Sequence, residues 1–332
     1  MKPPHRPHGG PKPAGGTRGS GQPSRGPWTK RGPAPDPRAP DQRADPNRAP
    51  RRDPPDPDRR PDAPRPQPSS RLQTAWRPRE PERPRDSHRG PPPAPAGAVW
   101  LYGQHAVAAA LVNPARRLRR LLATEEAEAD LLTRVPRPWP LAAERMERPR
   151  IDQLLGRDAV HQGLALLADP LAAPQLALVL DRPGPVLVLD QVNDPRNVGA
   201  ILRSAAAFGA AGVIAQDRNA PEETGSLAKA ASGALETVPL LRAVNIARTL
   251  VALKAADRWV IGLDAAGTEK LSGAALAGRK LVLVLGAEGQ GLRRLTRETC
   301  DILAKLAMPG SMESLNVSAA AAIALYETTR LP

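Results

Sequence analysis

The sequence predicts an α/β protein whose larger part is a mostly parallel sheet with helices on both faces. Three observations carry this. From Val186 onward short apolar runs alternate with helical patterns, the order that builds parallel sheets from strand–helix–strand units. The runs VLVLD (186–190) and KLVLVLG (280–286) are apolar at almost every position, as strands buried on both faces require. Ahead of residue 98 this patterning is missing.

That leading stretch differs in composition. Of the chain's 41 prolines, 27 fall in residues 1–97, together with 21 Lys+Arg against 10 Asp+Glu. Most of the net charge of +14 therefore lies there. With almost no aliphatic side chains, the stretch cannot bury enough apolar surface to offset the entropy of ordering its backbone. It reads as a disordered basic tail. Its charge suits a polyanion such as RNA. A solubilising linker is the plainer alternative, because Arg alternates with Asp and Pro instead of forming a block.

Order begins near Val99. Residues 99–122 predict a short strand, a helix that ends near Asn113-Pro114, and a second strand after the basic run Arg116, Arg117, Arg119 and Arg120. Those arginines fit either RNA phosphates or a solvated turn. A helix over 125–134 and a helix, turn and strand over 150–168 close a small α/β unit. The proline-bearing residues 170–184 read as a linker. Strands are then expected at 186–190, 212–216, 235–240, 259–264, 280–286 and 301–308, with helices at 197–209, 222–232, 244–256, 290–299 and 314–330.

The single cysteine, Cys300, excludes an internal disulfide and a cysteine-based zinc site, and no motif calls for a metal. No apolar run approaches the ~20 residues of a membrane span, and the N-terminus MKPPHRPHGG lacks a signal-peptide core. The cytoplasm is the expected location.

Three loops, each after a strand, carry the chemistry. Ligands of open α/β sheets bind beyond the carboxyl ends of the strands. In DQVNDPRNVGAILRSAAAFGA (190–210), Asn197 can cap the helix and offer its amide, and Arg203 is expected on the same face. A capped helix with a solvated Arg is the structural alternative. In LVLGAEGQGL (283–292), Gly286, Gly289 and Gly291 surround Glu288, and glycines let backbone groups approach a ligand. No Gly-Lys-Ser/Thr follows, and the spacing does not fit a dinucleotide fingerprint. In LAMPGSMESLNVSAAAAIALYE (306–327), Ser314, Asn316 and Ser318 surround a helix start, which offers unpaired N–H donors. A well-capped terminal helix explains it equally.

Taken in this order, Asn-x-Gly-x-x-x-Arg, Leu-Gly-x-Glu-Gly-x-Gly and Met-x-Gly-x-x-x-Ser-Leu-Asn-Val-Ser resemble the three motifs of the SpoU/TrmH family of RNA ribose 2′-O-methyltransferases, over about residues 184–330. Residues 99–168, with Tyr102-Gly103-Gln104-His105-Ala106-Val107 and His161-Gln162-Gly163, resemble that family's small RNA-binding domain, which is L30e-like. The resemblance implies a SPOUT-type, trefoil-knotted parallel-sheet methyltransferase domain at 185–332. It would follow a disordered tail (1–97), an L30e-like α/β domain (98–169) and a linker (170–184). It implies S-adenosylmethionine as cofactor, a homodimer whose active site draws on both subunits, and RNA as substrate.

Position by position, it implies cofactor contacts from Gly286, Leu306, Met308 and Leu315 and a catalytic group of Asn197, Arg203, Glu288, Ser314 and Asn316. The family scheme makes the first-motif arginine the base. An ordinary guanidinium, with a pKa above about 12, cannot serve as one at neutral pH. Arg203 is better read as a clamp on the phosphate beside the target ribose. One departure is Leu306-Ala307-Met308-Pro309, where the family has Ile-Pro-Met. With a small domain of this kind ahead of it, the chain most resembles the enzymes that methylate a guanosine ribose in 23S rRNA, which implies that target. A tRNA ribose, an rRNA adenosine or a non-catalytic RNA-binding role are the alternatives within reach of these motifs. A nucleotide-binding oxidoreductase is disfavoured by the missing fingerprint.

Overall fold

The computed structural model describes residues 94–330 except 219. The basic tail expected at 1–97 therefore lies almost wholly outside the described residues. A four-stranded sheet comes first. It holds β1 (Val99–Tyr102), β2 (Leu118–Ala123), β3 (Ala143–Arg145) and β4 (Leu164–Ala168) in the order β1-β4-β2-β3. Helices α1 (Gln104–Val112), α2 (Glu125–Arg134) and α3 (Arg148–Leu155) connect its strands. β4 is antiparallel to β1 and β2, and β3 is parallel to β2. Thr124 caps α2 by accepting from the Ala127 N–H, and Glu125, Glu126 and Glu128 in the first turn suit the positive end of the helix dipole.

The linker expected at 170–184 contains a helix, α4 (Leu176–Leu180). It is not a free connection. Val179 is fully buried, and the guanidinium of Arg258 donates to the carbonyls of Val179, Leu180, Arg182 and Gly184 at 3.2–3.4 Å. The proline spacing hid a single apolar turn that docks on the larger sheet.

That sheet has seven strands in the order β7-β6-β5-β10-β8-β11-β9, and every pairing in it is parallel. The strands are β5 (Val186–Asp190), β6 (Gly212–Gln216), β7 (Leu240–Ala243), β8 (Trp259–Leu263), β9 (Glu269–Lys270), β10 (Leu281–Gly286) and β11 (Ile302–Lys305). The helices are α5 (Pro195–Ala207), α6 (Gly225–Ala231), α7 (Ile246–Ala255), α8 (Arg294–Thr299) and α9 (Val317–Thr329). The strand expected at 235–240 is a correction. Ser232 and Gly233 take positive φ, Ala234–Glu236 form a 3-10 turn, and the strand starts only at Leu240. The apolar residues Leu235, Val238 and Leu240 suggest a strand, but the left-handed turn at Ser232 and Gly233 leads into the 3-10 turn instead.

The two central strands sort their side chains by face, as period-two alternation demands. Leu187, Leu189, Leu283 and Leu285 join the core cluster shared with α5 and α9. Val186, Val188, Val282 and Val284 join the opposite cluster, with Ile246, Leu250 and Leu253 of α7. The first cluster continues without a break to Leu101, Leu121 and Leu166 of the small sheet. Each buried side chain of this size contributes about 1.5–3 kcal/mol, so the two sheets hold one another in place.

A polar clasp reinforces that contact and corrects the reading of the basic run. Arg119 and Arg120 lie on β2, paired with Asp169 and Glu144. Arg116 faces no RNA: its side chain is buried between the carboxylates of Glu223 and Glu236. It donates from Nε and Nη2 to Glu236 at 3.1 and 2.6 Å, and from Nη1 to the Asp169 carbonyl at 2.9 Å. Asn113 Nδ2 donates to the same Glu236 at 2.7 Å. Burial alone would lower the Arg116 pKa, but Glu236 and Glu223 outweigh it and raise it. Among the described residues no helix is long and apolar enough to cross a membrane.

Candidate active site

The three motif loops meet at the carboxyl ends of β5, β10 and β11. The first begins at Asp190, fully buried at the end of β5. Its carboxylate accepts from Arg293 N at 3.0 Å and Arg293 Nε at 2.7 Å, which ties the end of the second motif back to the first. Asp194, not Asn197, caps α5, accepting from the Arg196 N–H at 2.9 Å, and Pro195 occupies the first turn, where its missing N–H costs nothing. Asn197 is thereby released from capping and sits inside the first turn with its amide available.

The second motif folds back on itself. A side chain at Gly286 would collide with the backbone of Gly291, and Ala287 bridges to Gly291. Only a glycine permits this approach, and the fold-back thrusts Glu288 forward. The third motif supplies Asn316, which caps α9: its Oδ1 accepts from Ser318 N at 2.8 Å and Ser318 Oγ at 2.6 Å. Helix α9 starts at Val317, three residues later than expected, so Ser314 stands exposed in the preceding loop.

Three side chains from three motifs then close into one network. Asn316 Nδ2 donates to Glu288 Oε1 at 2.9 Å and to Asn197 Oδ1 at 3.0 Å. Asn197 Nδ2 donates to Glu288 Oε1 at 3.3 Å, and the backbone N–H of Val317 reaches the same oxygen at 3.3 Å. A carboxylate at the N-terminus of α9 is well placed against the helix dipole.

Beside the network lies a cleft of about 1090 Å³, just above the usual range for small-molecule sites. Gly286, Leu306, Met308 and Leu315 line it, together with Glu288, Ser314 and Asn316. Asp264 and Arg297, an ion pair at 2.6 Å, also line it. Neither was singled out from the sequence, although Asp264 ends the apolar run WVIGLD at the mouth of a buried strand.

Arg203 is not part of this network. It is exposed on α5, and no contact joins it to Asn197, Glu288 or Asn316. Six residues along a helix turn about 600°, some 120° short of two full turns, so the expectation that it shares a face with Asn197 is corrected. Its charge acts instead on His105 of the small unit.

Residues 184–326 match the SpoU rRNA methylase family, and residues 100–174 match the family description for RNA 2′-O ribose methyltransferase substrate binding. The chain is 40% identical over 250 residues to a 23S rRNA (guanosine-2′-O-)-methyltransferase RlmB of Bordetella pertussis, covering 71% of this chain and 98% of that protein. It is 43% identical over 245 residues to the Ralstonia nicotianae protein of the same name, covering 69% and 94%. Among solved structures it is similar to a TrmH-family protein from Porphyromonas gingivalis, with 28% identity and a TM-score of 0.57 over 70% of this chain and 89% of that one. It shares the fold of the SpoU methyltransferase AviRb from Streptomyces viridochromogenes, solved with AdoMet, at 24% identity and a TM-score of 0.57 over 70% and 90%. With both parts of the chain matched and relatives covered almost end to end, the chain belongs to the SpoU rRNA methylase family.

Proposed function

We propose that the chain transfers a methyl group from S-adenosylmethionine to the 2′-hydroxyl of a ribose in structured RNA, with a guanosine of 23S rRNA as the target. The observation that carries this is the closure of Asn197, Glu288 and Asn316, one from each motif, beside a cleft lined by Gly286, Leu306, Met308 and Leu315. The curated relatives that span both the small and the large sheet are named for that rRNA guanosine, which favours it over a tRNA target.

The cleft suits the cofactor. Leu306, Met308 and Leu315 offer apolar contact for an adenine and the sulfonium-bearing chain, and the Gly286 fold-back brings backbone groups to the cleft for polar ones. When bound, S-adenosylmethionine supplies an electrophilic methyl carbon on a sulfonium. The chain's residues do the rest by positioning, which in well-aligned cases contributes several kcal/mol. Glu288 holds the amides of Asn197 and Asn316 so that they can orient the ribose. Ser314 lines the approach. Arg203 clamps a phosphate beside the target ribose, a task its forked guanidinium suits.

The knotted C-terminus, the homodimer and the cytoplasmic location belong to the same reading. Gly273 lies against the backbone of Glu327, so the segment ahead of β10 packs closely on α9. Ile323 and Tyr326 of α9 stay exposed, an apolar face suited to a second copy. S-adenosylhomocysteine should raise the thermal stability of the full chain and NAD should not. Stabilisation by NAD alone would return the chain to the oxidoreductase reading.

A further inference from the structure

Away from the motif network, charged groups converge a second time, at the seam between the small and large sheets. Lys229 of α6 lays its stem against Gly103, where an added Cβ would sit 2.6 Å from both Cδ and Nζ. Its ammonium donates to Gln162 Oε1, the oxygen that also accepts from the Gln104 N–H at 3.4 Å. Gln162 takes φ 56°, in the left-handed region that favours glycine. Arg134, at the end of α2, reaches His105 Nε2 at 3.4 Å, a contact that only a neutral imidazole can accept.

The charges that act on His105 are of one sign. Burial, and then the positive charges of Arg134, Lys229 and Arg203, hold His105 below its ordinary range. Burial lowers Lys229 as well. No carboxylate is among the groups acting on either residue. The contrast with Arg116 is direct: the cation sealed between the two sheets has two carboxylates, whereas among the described residues no ion pair joins Lys229, Arg134 or Arg203 to a carboxylate. Cations gathered without acidic partners repel one another and are relieved by an incoming anion.

We propose that the seam is a phosphate-binding site for the RNA backbone next to the target nucleotide, with Lys229 as its anchor and Arg134, His105 and Arg203 around it. The proposal rests on the RNA-methyltransferase reading above and extends it to the small unit. Arg203 joins the two sites, because α5 also carries Asn197, about 9 Å away along the helix axis.

The test is binding of protein-free 23S rRNA to the full chain across a range of KCl concentrations. Lys229→Gln should weaken binding about tenfold at 0.1 M salt. It should also make the slope of log K against log[KCl] shallower by about 0.7–0.9, the loss of one phosphate contact. Lys229→Arg should keep the slope, and S-adenosylhomocysteine affinity should be unchanged in both variants. Arg134→Gln, altered at an exposed side chain, should shift the slope in the same direction even if Lys229→Gln folds poorly. Unchanged slopes in Lys229→Gln and Arg134→Gln, with wild-type binding intact, overturn the seam site and leave the methyl-transfer reading standing. A wild-type chain that binds no RNA overturns that reading and the seam site with it.

Discussion

Glu288 Oε1 and Asn316 Nδ2 lie 2.9 Å apart, and through that bond the second motif sets the amide of the third. The same oxygen holds Asn197, so one carboxylate fixes two amides that are 119 positions apart in sequence. Glu288→Gln keeps the shape but replaces a shared acceptor with a mixed donor and acceptor. Single-turnover methyl transfer should slow by about 100-fold, the scale of a small misplacement at a reacting centre. Cofactor affinity should change little.

Arg203→Lys tests the clamp. Lys keeps the charge but loses the fork that grips a phosphate through two parallel hydrogen bonds. We expect kcat/KM for RNA to fall at least about tenfold, a loss of about 1.4 kcal/mol of transition-state binding. Full activity in Arg203→Lys would remove the clamp role from this residue.

Arg116→Met should destabilise the fold. The substitution leaves Glu223 and Glu236 facing one another without their cation. Breaking a buried pair by removing one partner costs about 3–5 kcal/mol, which urea denaturation of the full chain would register as a lowered midpoint.

Cys300 should be inert in the native state. Burial, first, and then the neighbouring Asp301 push its thiol up to about 12, and Sγ donates to the Thr296 carbonyl at 3.2 Å. At pH 8 a pKa near 12 leaves roughly one thiolate in 10⁴. A thiol reagent should therefore titrate the chain's single cysteine only after unfolding, and rapid labelling of the folded protein would contradict this.

Much of this architecture was legible because burial leaves a strong mark on sequence. β5 and β10 are buried on both faces, and their unbroken apolar runs stand out. The motif residues were legible as types in order, since glycine, a lone acid and helix-cap amides each have a local signature. Other features were not. β3 is a three-residue edge strand that reads Ala-Glu-Arg, with no apolar side chain larger than alanine. α4 is a single turn among prolines, held by Arg258 from far along the chain. The face of Arg203 was misjudged because two helical turns need seven residues, not six. The seam draws Arg134, His105, Gln162 and Lys229 from separate elements, so only folding brings them together.

The most direct test is transfer of a tritiated methyl group from S-adenosylmethionine to 23S rRNA by the wild-type chain and by Asn316→Ala. Asn316 is the donor that spans Glu288 and Asn197. The account predicts label at one ribose, resistant to alkali, with wild-type protein and its loss in the variant while cofactor binding persists. Label placed equally well by Asn316→Ala, or no cofactor binding by the wild-type chain, would contradict it.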